Sequence, residues 1–207
     1  MVKIFTDGST FNNGKKNACG GIGLYIPYLE YELSMPFLLD IPTNQKTELY
    51  AIQKGLEVYL TFCMRKSTLT DEEKEIFLYT DSDYCIKSLT QWIKGWKKNG
   101  WVSAKREPVK NLEFIKPIDN ILGLYDKKGL IVKFIHINSH QKEPTKGTKE
   151  HEIWKGNDKV DRLAVKGSKE MQSFYMKEST KIESFGDKQE DKRVGLKQTK
   201  IGSFFRN

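Results

Sequence analysis

At 207 residues and a net charge of +8, the chain is long enough to bury one sizeable core and carry an appendage. Its 38% hydrophobic and 12% aromatic content suits a soluble globular protein, and no apolar run approaches the ~18 residues of a membrane span. The N-terminus opens on a charged strand rather than a signal peptide. Cys19, Cys63 and Cys85, scattered and odd in number, imply free thiols in a reducing compartment.

The first strand is expected over Val2-Lys3-Ile4-Phe5-Thr6-Asp7-Gly8-Ser9, where β-branched and aromatic residues alternate with Lys3 and the run closes on Asp-Gly, a turn signal. Two readings of Asp7 compete. It shapes the turn before Gly8, or it is a metal ligand at a strand end, which requires partners elsewhere in the chain. Ala18 to Ile26 follows as a glycine-rich strand. Its Gly20-Gly21-Ile22-Gly23 is no phosphate loop, since it lies inside a strand pattern and no Lys-Ser/Thr follows. Tyr31 to Leu38 is its antiparallel neighbour, and three strands without room for crossover helices imply a meander. Leu49, Ile52, Leu56, Tyr59, Leu60 and Cys63 recur at three and four residues, which predicts a helix from about Gln45 to Met64.

Asp71-Glu72-Glu73-Lys74 reads as a polar connection, and Glu75 to Asp81 as a fourth strand again ending in an acid. A helix-rich segment runs from Tyr84 to Tyr125 with breaks near Asn99-Gly100 and Glu107-Pro108. Leu130 to Ile137 is a fifth strand, apolar enough to be expected buried on both faces. A last helix is expected over Asn157 to Lys166, with Val160, Leu163 and Ala164 inward. The order predicts an α/β fold, a mixed five-stranded sheet flanked by helices. From about Gly167 apolar residues thin out, so a domain over 1–167 and a flexible tail over 168–207 are expected.

Charge placement says more than its sum. Between Trp92 and Lys110, six basic residues (Lys94, Lys97, Lys98, Lys105, Arg106 and Lys110) face the single acid Glu107, an electrostatic footprint for phosphate backbones. Four acids stand out by context. Asp7 and Asp81 end strands with similar local sequence, Phe-Thr-Asp-Gly-Ser and Tyr-Thr-Asp-Ser-Asp. Glu48 lies in the first turns of the long helix, and Asp161 follows Asn157 by one turn on one face. Each alone could be an ordinary turn, surface or ion-pairing residue. Gathered in one cleft they would repel, and a cation would be needed among them; an all-oxygen site selects Mg²⁺ or Mn²⁺ over zinc. A zinc cluster of His136, His140 and His151 is the weaker reading, because no cysteine lies nearby in sequence.

The Thr-Asp-Gly-Ser strand, the Thr-Asn-Gln-x-x-Glu-Leu helix start, Tyr-Thr-Asp-Ser, Ser139-His140 and Asn-x-x-x-Asp-x-Leu-Ala resemble type 1 ribonuclease H. So does the stretch Gln91 to Trp101, which resembles that family's basic protrusion. The resemblance runs in the family's order from Val2 to Lys166. It implies a ribonuclease H-like fold, three antiparallel strands followed by two parallel ones. It also implies hydrolysis of the RNA strand of RNA–DNA hybrids by two Mg²⁺ ions (Mn²⁺ as a substitute), leaving 5′-phosphate and 3′-hydroxyl ends. By the same resemblance Asp7, Glu48, Asp81 and Asp161 are the metal ligands, and His140 assists proton transfer or product release. The spacing from His140 to Asp161 is longer than in familiar members, through 141–156, and a structural His140 is the alternative. Asn13, Asn44 and Gln45 match amides that reach the minor groove. Thr43 and Asn111 match a DNA-phosphate pocket in which Ile41 stands where some members have arginine. Tyr84 and Trp92 match aromatics that pack on DNA sugars, and Lys94, Lys97 and Lys98 belong to the protrusion. The hybrid-binding module that precedes many eukaryotic members is expected to be missing.

Near the C-terminus, Gln198, Ile201, Phe204 and Phe205 form Gln-x-x-Ile-x-x-Phe-Phe, two aromatics and an aliphatic in a hydrophilic tail that are costly to leave in water. The pattern, over 198–205, resembles the PIP box by which replication enzymes bind PCNA-type sliding clamps. The expectation is a monomer, without a membrane partner, tethered to a clamp at an intracellular site of DNA replication, nuclear or viral. Two alternatives are a non-catalytic hybrid-binding clamp adaptor and a DNA nuclease or resolvase on the same fold. The intact acid set argues against the first, and the hybrid-reading residues argue against the second.

Overall fold

The computed structural model describes residues 1–139 and 141–186, with side chains through residue 177. Its centre is one five-stranded sheet in the order β3-β2-β1-β4-β5. Strands β1 (Val2–Phe11), β2 (Cys19–Ile26) and β3 (Tyr31–Pro36) form the antiparallel meander, while β4 (Glu75–Thr80) and β5 (Ile131–His136) run parallel to β1. This is the expected mixed sheet. Helix α1 (Asn44–Met64) follows β3, and a one-turn helix, α2 (Asp71–Lys74), connects it to β4. Next come α3 (Asp83–Lys87), a π-helical turn over Ser88–Trp92 and α4 (Ile93–Lys98), across which most of the basic Gln91 to Trp101 stretch lies. Then α5 (Leu112–Lys127) leads into β5, and α6 spans Lys149–Gly186.

The period of two along β1 feeds two cores. Val2 and Ile4 join the larger cluster with Leu49, Ile52, Leu56, Ile115 and Ile118 of α1 and α5. On the opposite face Phe5 packs with Tyr79, Ile137 and Val160 beneath α6, its ring stacked on Tyr79 at 4.8 Å. All three cysteines are buried and unpaired.

Four expectations need correction. Asp7-Gly8 is not a turn: β1 runs on to Phe11, and Asp7 and Gly8 pair with Gly23 and Ile22 of β2. Gly8 is there because a Cβ would lie 2.3 Å from the Glu48 amide nitrogen, so the glycine lets the first turns of α1 approach the strand. The polar stretch at Asp71 is a capped helical turn, with Thr70 and Glu73 exchanging capping bonds. Its Glu73 is buried and held by Lys66, Tyr28 and the Thr70 amide, which draw the carboxyl down to about 2. Strand β5 is not buried on both faces; it is the sheet's outer edge, and Ile131 is 59% exposed. The last helix neither starts at Asn157 nor stops at Lys166. Ser168 and Met171 are buried, Ser168 Oγ donates to the Ser9 carbonyl at 2.9 Å, and the position expected to begin a tail lies within the helix.

Candidate active site

The site lies where β1 and β4 part. They pair only from Val2↔Ile76 to Phe5↔Tyr79; after Thr80 the chain turns into α3 while β1 continues, which opens a crevice at the carboxyl ends of two parallel strands. Asp7 enters it from β1 and Asp81 from the end of β4. Glu48 arrives from α1, whose start is fixed by Thr43: its Oγ1 accepts the Lys46 amide at 3.3 Å as N-cap. Thr80 Oγ1 donates to Glu48 Oε2 at 3.5 Å and accepts the Ser82 amide at 3.2 Å, tying the two elements together. Asp7, Glu48 and Asp81 each offer a carboxylate oxygen within 4.8 Å of the others. Asp161, from α6, is on the wall of the same cavity of about 360 Å³, along with Asn138, Ser139, Gln141, Trp154, Asn157 and Asp158.

The electrostatics of this cluster are unfavourable by themselves. Burial first, then the charges of Asp81 and Asp161, push the Asp7 carboxyl up to about 7, against the lowering effect of hydrogen bonds from Glu48 and the Gly8 amide. Burial, then Asp7 and Asp81, hold Glu48 well above the ordinary range. Asp7 is 9% and Glu48 7% exposed. Among the described residues, the cavity lined by Asp7, Asp81 and Asp161 has no lysine or arginine in its wall. A hard divalent cation suits the set: oxygen donors of like charge that are costly when ionised alone and favourable when shared by an ion.

The expected substrate residues gather on the flank next to α1. Asn13 Oδ1 accepts the Asn44 amide at 3.3 Å, and Asn111 Nδ2 donates to Gln45 Oε1 at 3.2 Å and to the Tyr84 hydroxyl at 2.9 Å. Asn111 holds this position in the left-handed region, φ 57°, which asparagine tolerates. Trp92, 42% exposed, meets Tyr84 edge-on at 6.1 Å, and the π-helical turn places it there. Lys94, Lys97 and Lys98 are exposed on α4, with Lys97 engaged by Asp119 at 2.8 Å. Thr43 spends its hydroxyl on the helix cap, and Ile41 is exposed where an arginine was the alternative. His140 lies outside the described residues, as do Gln198, Ile201, Phe204 and Phe205. The histidines do not form a metal cluster among the described residues: His136 Nε2 is 3.0 Å from the Asp81 carbonyl and His151 Nε2 is 3.1 Å from Glu143.

Sequence reasoning missed Asn138, Gln141 and Trp154 in the cavity wall. Ser139 and Asp158 were visible only as letters in their motifs. Trp154 gave no signal, because it sits in the 143–155 stretch, which carried no motif.

The RNase H family model matches residues 1–169, which holds the three gathered carboxylates and Asp161. The chain belongs to the RNase H family. Its members are metal-dependent ribonucleases of RNA–DNA hybrids, so this chain is an enzyme of that class. Ribonucleases H of Salmonella arizonae and Salmonella newport are each 34% identical to it over 144 residues, 70% of this chain and 81% of theirs. Among solved structures, the PFV RNase H domain aligns with TM-score 0.58 at 24% identity, over 81% of this chain and 93% of that one. LC11-RNase H1, solved in complex with RNA/DNA hybrid, aligns with TM-score 0.52 at 17% identity, over 82% and 98%. These two likenesses are of fold.

Proposed function

We propose that this ribonuclease H cuts the RNA strand of RNA–DNA hybrids with two Mg²⁺ ions held by Asp7, Glu48, Asp81 and Asp161, leaving 5′-phosphate and 3′-hydroxyl ends. The observation that carries this reading is the convergence of three carboxylates, buried Asp7 and Glu48 from β1 and α1 with Asp81 from the end of β4, beside a cavity that Asp7 and Asp81 line together with Asp161. When bound, such ions would activate the attacking water and stabilise the leaving 3′ oxygen of an in-line displacement. The chain's own part is placement. The Gly8 approach fixes Glu48 against Asp7, and the Thr80 hydroxyl orients the Glu48 carboxylate. The Asn13–Asn44 and Gln45–Asn111–Tyr84 contacts present amides and an aromatic face on one flank, where 2′-hydroxyls distinguish RNA from DNA. The lysines of α4 and exposed Trp92 extend that flank toward phosphates and sugars.

The test is incubation with end-labelled RNA–DNA hybrid, duplex RNA and duplex DNA, each with Mg²⁺ or with chelator. Cleavage confined to the RNA of the hybrid and abolished by chelator is expected; cleavage of duplex DNA, or turnover in chelator, contradicts the proposal.

Recruitment by a PCNA-like sliding clamp at replicating DNA completes the proposal, and it rests on the sequence of Gln198, Ile201, Phe204 and Phe205 alone. A docking plug on a tail raises the local concentration of the enzyme at its track without any new contact from the domain. Phe204→Ala with Phe205→Ala is expected to remove clamp binding, read by calorimetry, and to leave cleavage of short free hybrids unchanged. Unaltered clamp affinity would end the clamp assignment while leaving the nuclease reading intact.

A further inference from the structure

We propose that Trp154 is a positioning residue of the active site, one that holds the Gln141 backbone and, with it, the wall residues Asn138, Ser139 and Gln141 at the carboxylate cavity. The inference rests on the reading of that cavity as the place of phosphodiester hydrolysis.

Trp154 is on the cavity wall with Asp7, Asp81 and Asp161. Its indole Nε1 donates to the Gln141 carbonyl at 3.0 Å, bridging the first turns of α6 and the loop that leaves β5. The ring is stacked on His151 at 6.0 Å with an interplanar angle of 11°, and His151 Nε2 lies 3.1 Å from Glu143 of the same loop. Thr148 Oγ1 donates to the Thr145 carbonyl at 2.8 Å and accepts the His151 amide at 3.2 Å, so the loop's far end is also tied to the start of the helix.

The helix that carries Trp154 is itself fixed to the sheet. A Cβ on Gly156 would lie 2.5 Å from the Phe5 ring, and one on Gly23 would lie 2.1 Å from the Val160 carbonyl, which pins the register of α6 against β1 and β2. The indole is thus a rigid arm reaching from a docked helix to a loop. The other side of that loop starts from Ile137, whose amide is bonded to the Thr80 carbonyl at 3.0 Å, next to Asp81. Between these anchors the segment carries Asn138, Ser139 and Gln141 into the cavity wall. Active-site groups act only when held near productive geometry, and a shift of about 1 Å can cost on the order of 100-fold in rate. An indole fits this task because it offers a broad apolar wall and one directional donor.

Trp154→Phe keeps a ring against His151 and removes the N–H. It is expected to lower kcat on an RNA–DNA hybrid about 10-fold with KM held within about 2-fold. Amide hydrogen exchange at Asn138, Ser139 and 141–143 should speed up at unchanged global unfolding. Wild-type kcat in Trp154→Phe, a loss confined to KM, or a loss of kcat without faster exchange at Asn138, Ser139 and 141–143 each overturns the inference. Trp154→Ala is expected to lose at least as much kcat; if it fails to fold, Trp154→Phe decides. Asp81→Asn run alongside separates the two levels. An inactive Asp81→Asn with a normal Trp154→Phe sinks only the positioning role, whereas an active Asp81→Asn removes the reading beneath it.

Discussion

Asp7 and Glu48 are acids in a place that favours their protonated forms, because burial and neighbouring carboxylates oppose their charge when no ion is shared. For Asp7, lifted from 3.8 to about 7, the linkage has a definite sign. Between those two values the folded chain binds the proton more tightly than the unfolded chain does. Stability of the metal-free protein therefore falls as pH rises through that window, and the full penalty is present above it. Asp7→Asn should flatten this part of the profile and raise the stability of metal-free protein at pH 8 by on the order of 4 kcal/mol, while abolishing cleavage. Thermal melts of wild type and variant across pH 4.5 to 8 in chelator are the check; parallel profiles would mean the Asp7 carboxyl titrates as it does in an unfolded chain. Added Mg²⁺ should raise the wild-type Tm more at pH 8 than at pH 5, since a ligand that binds only the folded, deprotonated site stabilises it by mass action.

Helix α6 reaches the sheet only because β2 lacks side chains where the two meet. A Cβ on Gly21 would sit 2.2 Å from the Ser168 amide nitrogen, and one on Gly23 would sit 2.1 Å from the Val160 carbonyl. Because α6 carries Asp161, this backbone approach sets the fourth carboxylate's place in the cavity. Gly23→Ala should destabilise the fold by about 1–3 kcal/mol through overpacking, and cost activity beyond the loss of folded protein. A denaturant midpoint and a specific activity equal to those of wild type would contradict that role. The same contacts explain what was legible in the sequence. The glycine-rich strand was recognisable as a strand, but its glycines were uninterpretable without the helix above them. Asp7-Gly8 resembled a turn because Asp-Gly has that local preference, and the tertiary approach of Glu48 overrides it. Strand β5 looked doubly buried because its residues are apolar, yet edge or centre is decided by strand order. Helix α6 was cut short at Lys166 because its later turns are mostly polar, while Ser168 and Met171, spaced along one face, still reach the sheet.

Across the molecule, Asp7, Asp81 and Asp161, remote in sequence, line one cavity, and Glu48 lies within 4.8 Å of Asp7 and Asp81, because β1 and β4 run parallel and side by side, α1 crosses one face and α6 the other. The motifs were therefore readable one by one from the chain, and the mixed sheet from their order. The cavity wall contributed by Asn138, Ser139, Gln141 and Trp154 was not, since loop and helix meet through an indole and a backbone carbonyl that leave no periodic trace. The amides, Tyr84, Trp92 and the α4 lysines are different groups from the carboxylates, so on the proposed reading binding of hybrid and its hydrolysis should be separable. The most direct measurement is Asp81→Asn assayed for both. Hydrolysis of an RNA–DNA hybrid should fall below detection while hybrid affinity, read by fluorescence anisotropy at fixed salt, stays within a few-fold of wild type. Turnover retained at the wild-type rate would contradict the carboxylate-centred site.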